Sequence, residues 1–316
     1  MLAVCLYRGV VFLRDDPRPR RPKGFATIRL LYGGICNTDL ELQRGYYDFR
    51  GIPGHEFVGE VVAADDPKWI GRRVVGEINL ACGKCEWCAR GLGRHCPKRT
   101  VLGIVKHPGA FREFLTLPEA NLRMVPRKIP TEHAVFIEPL AAACEILDQV
   151  RIPRGAPVAV LGDGKLGLLI GQVLKAHGAE VHQYGHHKEK LKLASDAGID
   201  SRLANKLPVA KYDWVVDASG SSQGIWQAVK MTRPRGTVVL KSTIHALTPI
   251  DSAAIVVNEI TLVGSRCGRF EPAMRLLRNG RVRVDNLISE VFPLNRAPLA
   301  FKKAAVPGAL KVLLHA

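Results

Sequence analysis

The chain has 316 residues, which is long for a single hydrophobic core and suits two domains. Its hydrophobic fraction of 47% is typical of a globular protein, and no apolar run reaches the roughly 20 residues that a membrane-spanning helix needs. Lys and Arg number 46 against 29 Asp and Glu, a net charge of +17. These basic residues are scattered and accompany no nucleic-acid-binding motif, so neither nucleic acid nor a membrane is predicted as a partner.

The N-terminal stretch 1–16 is apolar at first and is interrupted by Arg8. It lacks the leading basic region of a signal peptide, so we interpret it as a first strand and expect a cytoplasmic protein. Short β-type runs separated by Gly and Pro continue to about residue 150: FATIRLLYGG, HEFVGEVVAA, RRVVGEINLA and GAFREFLTLP. Their spacing predicts a compact, largely antiparallel β domain.

Three residue types in this first half could share a metal ion. Cys36 precedes the adjacent pair His55 and Glu56, and Glu138 lies in the apolar segment FIEPLAAACE. An isolated charge in such a segment is costly, so this carboxylate should be paired or metal-bound. One Cys, one His and one carboxylate with a free fourth position form the ligand set of a catalytic zinc site.

Four further cysteines, Cys82, Cys85, Cys88 and Cys96, have the spacing C-x2-C-x2-C-x7-C. Because disulfides are rare in the cytoplasm, clustered thiols indicate a metal site there. Four thiolates fill a tetrahedral zinc shell and leave no position for substrate, so this zinc would be structural. The alternatives are an iron-sulfur cluster, whose usual spacing has three residues before the last Cys, and thiols without a metal.

From residue 157 the pattern changes to alternating strands and helices. The segments PVAVL, EVHQY, YDWVVDAS, GTVVLKS and ITLVGS read as strands, and helical periodicity follows the first three. This alternation predicts an α/β fold with a doubly wound parallel sheet.

The segment LGDGKLG places Gly162, Gly164 and Gly167 in a G-x-G-x-x-G motif between a strand and a helix, which predicts a dinucleotide site. NAD-binding proteins carry an acidic residue at the end of the second strand, and Gly185 occupies that position here. The basic residues that follow could attract a 2′-phosphate, so NADP is favoured over NAD; alternatively they only begin a solvated helix and backbone groups hold NAD. The predicted cofactor-binding residues in this half are Gly162, Gly164, Lys165, Gly167, Gly185, His186, His187 and Lys188.

Taken in order, these motifs resemble those of the zinc-containing medium-chain alcohol and polyol dehydrogenases. Cys36 matches the family's GxC-x-[ST]-D segment, His55 its GHE segment and Glu138 its EPL segment. The resemblance implies a GroES-like, mainly antiparallel catalytic domain over 1–152, with a structural zinc lobe at about 80–98, completed by 266–316. It also implies a Rossmann domain over 153–265.

The resemblance further implies residue roles. Glu56 is either an alternate zinc ligand to Glu138 or a neighbour that loosens the zinc during turnover. Asp39 orients the histidine ligand, and Thr38 passes on the substrate proton. Some members continue the proton relay with a histidine where this chain has Glu41.

Lys311 matches a late basic residue that contacts the cofactor phosphates in some relatives. The implied activity is zinc-dependent hydride transfer between an alcohol or polyol and NAD(P), with one catalytic and one structural zinc, in a homo-oligomeric dimer or tetramer. The alternative is a non-catalytic zinc-binding or regulatory protein of the same fold.

Overall fold

The structure is a computed structural model that describes residues 1–243, 248 and 250–316. His245, which the sequence suggested was structural or solvent-exposed, lies outside the described residues. None of the helices in the described ranges has the length and apolar character that crossing a membrane requires.

The chain forms two compact units, one made of 1–138 with 287–316 and the other of 139–286. Both predicted domain boundaries are therefore shifted, from 152 to 138 and from 265 to 286. The segment after residue 265 stays with the second unit because its groups bond to that unit's helices. Arg269 pairs with Asp148 at 3.1 Å, and the Gln172 side chain donates to the Arg283 carbonyl at 3.0 Å.

The first unit begins with strands and short helices. They are β1 (Leu2–Tyr7), β2 (Val10–Asp15), β3 (Phe25–Ile35), α1 (Asn37–Gln43), β4 (Glu56–Ala63), β5 (Arg73–Gly76), β6 (Asn79–Leu80), α2 (Glu86–Ala89), β7 (Thr100–Leu102), β8 (Lys106–His107), β9 (Phe114–Pro118), β10 (Leu122–Met124) and α3 (Thr131–Ala134).

The second unit alternates strands and helices. They are α4 (Ile137–Gln149), which starts at the end of the first unit, β11 (Pro157–Leu161), α5 (Lys165–His177), β12 (Glu180–Gly185), α6 (Lys188–Asp196), β13 (Asp200–Leu203), β14 (Tyr212–Asp217), α7 (Gly224–Met231), β15 (Thr232–Leu240), α8 (Ser252–Val257), β16 (Thr261–Gly264) and α9 (Phe270–Arg278). The chain then returns to the first unit with β17 (Ile288–Pro293), α10 (Ala297–Ala304) and β18 (Lys311–His315).

The main sheet of the first unit has the order β10-β5-β4-β3-β18-β17, with β9 also on β3. Its pairs are antiparallel except β17 with β18. Strands β3, β4 and β18 are largely buried at the centre of this sheet. The site residues lie at the ends of these strands, which hold them in place.

The N-terminal stretch forms a hairpin of β1 and β2, where the sequence predicted a single strand. Arg8 and Gly9 both have positive φ, 47° and 80°, as a two-residue hairpin turn requires. Strand β2 is largely exposed, so its sequence lacks the alternation of apolar and polar residues that marks a half-buried strand.

The second unit contains a six-stranded sheet of order β13-β12-β11-β14-β15-β16. Every neighbouring pair is parallel, as predicted. If β11 is counted as strand 1, the strand order is 3-2-1-4-5-6. The order therefore reverses between β11 and β14, which are neighbours in the sheet. Dinucleotides bind at such a reversal, beyond the carboxyl ends of the strands. The turn at Gly162 leaves β11 at this point.

Candidate active site

One buried carboxylate joins the two loops that carry the predicted metal ligands. Asp39 lies in the first turn of α1 and is fully buried. The backbone N–H of Cys36, the residue that caps α1, donates to Asp39 Oδ2 at 2.8 Å. The N–H of Gly54 donates to Oδ1 at 3.1 Å. Asp39 therefore fixes the backbone at Cys36 and immediately before His55.

The same carboxylate faces the imidazole of His55, which directly precedes β4 and is 4% exposed. His55 Nδ1 lies 3.5 Å from Asp39 Oδ1. Burial works against a charged imidazole, but Asp39 and Cys36 raise the pKa of His55 well above its usual value. A carboxylate placed behind a metal-binding imidazole increases the basicity of the ring and orients it.

Cys36, His55 and Glu56 offer ligand atoms that all lie within 4.8 Å of one another. Glu56 is 1% exposed, and its Oε1 has no hydrogen-bond partner among the described residues. A buried carboxylate oxygen without a partner is costly, and a cation would satisfy it. One sulfur, one nitrogen and one oxygen donor fit a zinc ion that keeps a fourth position open.

Glu138 lies half-buried in the first turn of α4. It is not among the three residues whose ligand atoms lie within 4.8 Å of one another. The choice between Glu56 and Glu138 as third ligand stays a prediction.

The predicted proton path starts at Thr38, which is half-buried on α1. Its Oγ1 lies 3.8 Å from Cys36 Sγ, so the hydroxyl is adjacent to the predicted metal ligand. Glu41, at the outer end of the path, forms an ion pair with Arg44 at 2.5 Å. Its part in a relay stays a prediction.

Glu56 also pairs with Lys311, a contact that the sequence analysis missed. Lys311 is 1% exposed on β18, and its ammonium donates to Glu56 Oε2. Burial alone would lower the pKa of Lys311, and the negative charge of Glu56 reverses this and raises it. The predicted contact of Lys311 with cofactor phosphates stays a prediction. The two residues are 255 positions apart in sequence, so no local pattern could have revealed the pair.

The backbone before His55 is clamped by two glycines outside the predicted site. A Cβ atom at Gly103 would lie 2.3 Å from the carbonyl oxygen of Gly54, and one at Gly109 would lie 2.1 Å from that of Pro53. Real Cβ atoms do not approach backbone so closely, so only glycine fits at either position. The tight packing holds the loop that presents the imidazole.

The four cysteines of the lobe converge. Their sulfur atoms lie within 4.8 Å of one another, with Cys85 Sγ 3.4 Å from Cys88 Sγ and 3.7 Å from Cys96 Sγ. Zn–S bonds of about 2.3 Å in a tetrahedron put neighbouring sulfurs about 3.8 Å apart. Hydrogen bonds from the backbone N–H of Lys84 and neighbouring groups lower the pKa of Cys82 to about 6. The geometry fits a closed four-thiolate site.

The glycine turn after β11 has the features of a dinucleotide cradle. Gly162 has φ +118°, and a Cβ there would lie 2.3 Å from the Ala218 carbonyl oxygen. Nothing lies within 4 Å of a Cβ at Gly164, which caps α5, so the backbone there is open to a ligand. A Cβ at Gly167 would lie 2.3 Å from the Gly162 carbonyl oxygen, which brings helix and strand together. These are the three functions that the motif assigns to its glycines.

The remaining predicted cofactor residues lie at the start of α5 and at the end of β12. Lys165 is the first residue of α5 and is half-buried; Gly185 ends β12 and is buried. After it, His186 and Lys188 are exposed and His187 is half-buried.

Two family models match the chain: "Alcohol dehydrogenase GroES-like domain" over residues 22–127 and "Zinc-binding dehydrogenase" over residues 166–279. Together with the parallel sheet and the two ligand clusters, they define the class of the zinc-binding dehydrogenases. The chain belongs to the zinc-dependent medium-chain dehydrogenase/reductase family. The predicted GroES-like and Rossmann fold class is confirmed.

Characterised relatives cover nearly the whole chain. Sorbitol dehydrogenase of Halalkalibacterium halodurans is 28% identical, over 97% of this chain and 96% of its own. Erythritol/L-threitol dehydrogenase of Mycolicibacterium smegmatis is 29% identical, over 89% of this chain and 88% of its own. A crystal structure from Sinorhizobium meliloti 1021, of a protein assigned to the zinc-binding dehydrogenases and bound to NADP, has a TM-score of 0.91 at 27% identity; the match covers 100% of this chain and 99% of that one.

Proposed function

We propose that the protein is a zinc-dependent oxidoreductase that interconverts an alcohol or polyol and its carbonyl compound, with a nicotinamide dinucleotide as hydride carrier. The observation that carries the proposal is the donor set of half-buried Cys36 with buried His55 and Glu56, backed by Asp39. A structural zinc site is closed by four protein ligands, whereas three donors leave a position free for substrate.

The proposed substrates are polyols or sugar alcohols, because relatives that span the chain act on sorbitol and on erythritol or L-threitol. The open backbone at Gly164 supports a dinucleotide cofactor, and the Sinorhizobium meliloti relative binds NADP. The absent strand-end acid at Gly185 favours NADP on sequence grounds alone; Asp163, considered below, opposes that preference. A homo-oligomer, dimer or tetramer, is part of the same proposal.

When bound, the zinc ion supplies Lewis-acid polarisation of the substrate oxygen, and the nicotinamide supplies the hydride chemistry. The chain's own residues provide geometry and a proton acceptor. Asp39 holds the His55 ring and the Cys36 loop in place. Thr38, whose hydroxyl lies 3.8 Å from Cys36 Sγ, relays the hydroxyl proton of the alcohol: its oxygen accepts that proton while its own hydroxyl proton passes on to Glu41 or to water.

Metal analysis of wild type and of Cys36→Ser tests this function. We expect two zinc ions per wild-type chain, one of which a mild chelator removes together with NAD(P)-dependent turnover of polyols. Cys36→Ser should keep one zinc, lose turnover by at least about 10²-fold, and retain the fold measured by circular dichroism. Cys5→Ser, a buried thiol outside both clusters, is the control for loss of a cysteine.

Normal turnover by Cys36→Ser would show that the active site has been misplaced. Two tightly held zinc ions without turnover of any alcohol or aldehyde would favour the non-catalytic alternative.

A further inference from the structure

The glycine turn carries an acidic side chain that its predicted function does not use. Asp163 lies between Gly162 and Gly164 and is only 6% exposed. Its Oδ2 accepts the backbone N–H groups of His186 and His187, both at 2.7 Å. Both of its oxygens also lie 3.1 Å from His187 Nδ1. The carboxylate therefore crosses from the end of β11 to the end of β12.

The Asp163 side chain fills the space at the end of β12. A Cβ atom at Gly185 would lie 2.4 Å from Asp163 Oδ2 and 2.5 Å from Asp163 Cβ. A side chain at 185 and one at 163 are therefore mutually exclusive. Asp163, from the glycine turn after β11, therefore takes the place of the acidic residue that is missing at the end of β12.

The charge at this position is negative. Burial opposes ionisation of Asp163, but the hydrogen bonds from His187 and His186 outweigh it and lower the pKa of the carboxyl group. The N–H groups before α6 are the donors that an incoming phosphate would need, and the carboxylate already occupies them. The half-buried His187 ring likewise faces Asp163, which leaves His186 and Lys188 exposed as the free basic groups of this turn.

We propose that Asp163 is a specificity-determining residue, which makes the ribose end of the dinucleotide site accept a 2′-hydroxyl group and reject a 2′-phosphate. The proposal rests on the proposed dinucleotide-dependent function and reverses the preference for NADP that Gly185, His186, His187 and Lys188 suggested. A carboxylate accepts hydrogen bonds from ribose hydroxyls and repels a phosphate dianion, whichever strand or turn supplies it.

Binding of ADP-ribose and of 2′-phospho-ADP-ribose, measured by isothermal titration calorimetry, tests the proposal without turnover. Wild type should bind ADP-ribose at least about tenfold more tightly, as expected when a phosphate dianion meets a nearby carboxylate. Asp163→Asn should reduce that ratio at least about tenfold. Asp196→Asn, on the exposed side of α6, changes the net charge equally and should leave the ratio unchanged.

The exchange variant Asp163→Gly with Gly185→Asp moves the carboxylate to the usual strand end. It should keep the preference for ADP-ribose, and this result is informative even where Asp163→Asn folds poorly. Wild-type preference for the 2′-phosphorylated ligand, or an equal change of both affinities in Asp163→Asn, would overturn the inference and leave the proposed function intact. Failure of wild type to bind either ligand would overturn both.

Discussion

Asp39 shows how much of the site depends on one side chain. It binds the backbone N–H groups of Cys36 and Gly54 and faces the ring of His55, although these residues belong to two separate loops. It is thus both the acidic member of the capping box that Cys36 begins and the partner of the imidazole proposed to bind the metal.

We expect Asp39→Asn to weaken zinc binding at the Cys36 site by about 10- to 100-fold, because partners of metal-bound histidines have effects of this size. Competition with a chromophoric chelator measures the affinity. Asp48→Asn, whose carboxylate is 82% exposed in the nearby loop, should change nothing. Unchanged affinity in Asp39→Asn would show that backbone packing alone positions His55.

The buried pair of Glu56 and Lys311 leads to a stability prediction. In the zinc-free protein, Lys311→Met leaves the Glu56 carboxylate uncompensated in the core, which should lower the free energy of unfolding by about 3–5 kcal/mol. Urea denaturation measures the loss. Lys303→Met removes the partner of Glu290 in a pair whose side chains are 46% and 42% exposed, and it should cost less than about 1 kcal/mol. Equal effects of the two variants would contradict a desolvated pair.

Sequence alone predicted Cys36 and His55 as ligands with Glu138 as the third and Glu56 as its alternate, and the structure brings together the ligand atoms of Cys36, His55 and Glu56. It could not reveal Lys311 as the partner of Glu56, nor the glycines that clamp Pro53 and Gly54, because these contacts depend on the three-dimensional arrangement of distant segments. Asp163 was visible inside its motif. What could not be foreseen was the direction in which its side chain points.

Among the elements, strands and helices with strong periodicity were predicted well. Strand β11 and helix α5 lie where their patterns indicated, because buried parallel strands and amphipathic helices have distinct signals. Strand β13 was missed, since its four residues are only partly buried and carry no apolar run. The N-terminal hairpin was missed because its second strand is largely exposed.

The cysteine lobe has little secondary structure of its own. It contains the four-residue helix α2 and two-residue strands, and of its thiols Cys96 alone is fully buried. We therefore expect a bound metal to supply much of its order.

We expect Cys85→Ser to cost one zinc per chain and to increase hydrogen exchange across 82–96, because three ligands hold the metal more weakly than four. Mass spectrometry of exchanged peptides measures the change, and Cys144→Ser, a buried thiol of the second unit, serves as control. Full protection of 82–96 in Cys85→Ser would show that the lobe folds without its metal.

At the scale of the whole molecule, the two ligand clusters found among the described residues both belong to the first unit, and the glycine turn belongs to the second. The second unit extends to residue 286, whereas the sequence analysis predicted an end at 265, because the residues after 265 read as mixed segments. Groups such as Arg269, which pairs with Asp148 of α4, connect this segment to the second unit.

This division predicts how the protein responds to complete metal removal. Strong chelation should destabilise the first unit and leave the amide protection of β11, β12 and β14 unchanged, since metal binding stabilises only the unit that holds it. Hydrogen exchange of the chelated protein distinguishes the two units. Equal loss of protection in both sheets would show that they unfold as one cooperative block.

The close contact between Gly103 and Gly54 has a consequence for protein engineering. Gly103 lies in the turn between β7 and β8, strands of the small sheet that adjoins the cysteine lobe, and it touches the backbone that presents His55. Replacing the lobe with a shorter segment would therefore disturb the His55 imidazole unless residues 100–109 were kept unchanged. In a directed-evolution library, glycine should be retained at position 103, because every other residue brings a Cβ atom into the same contact.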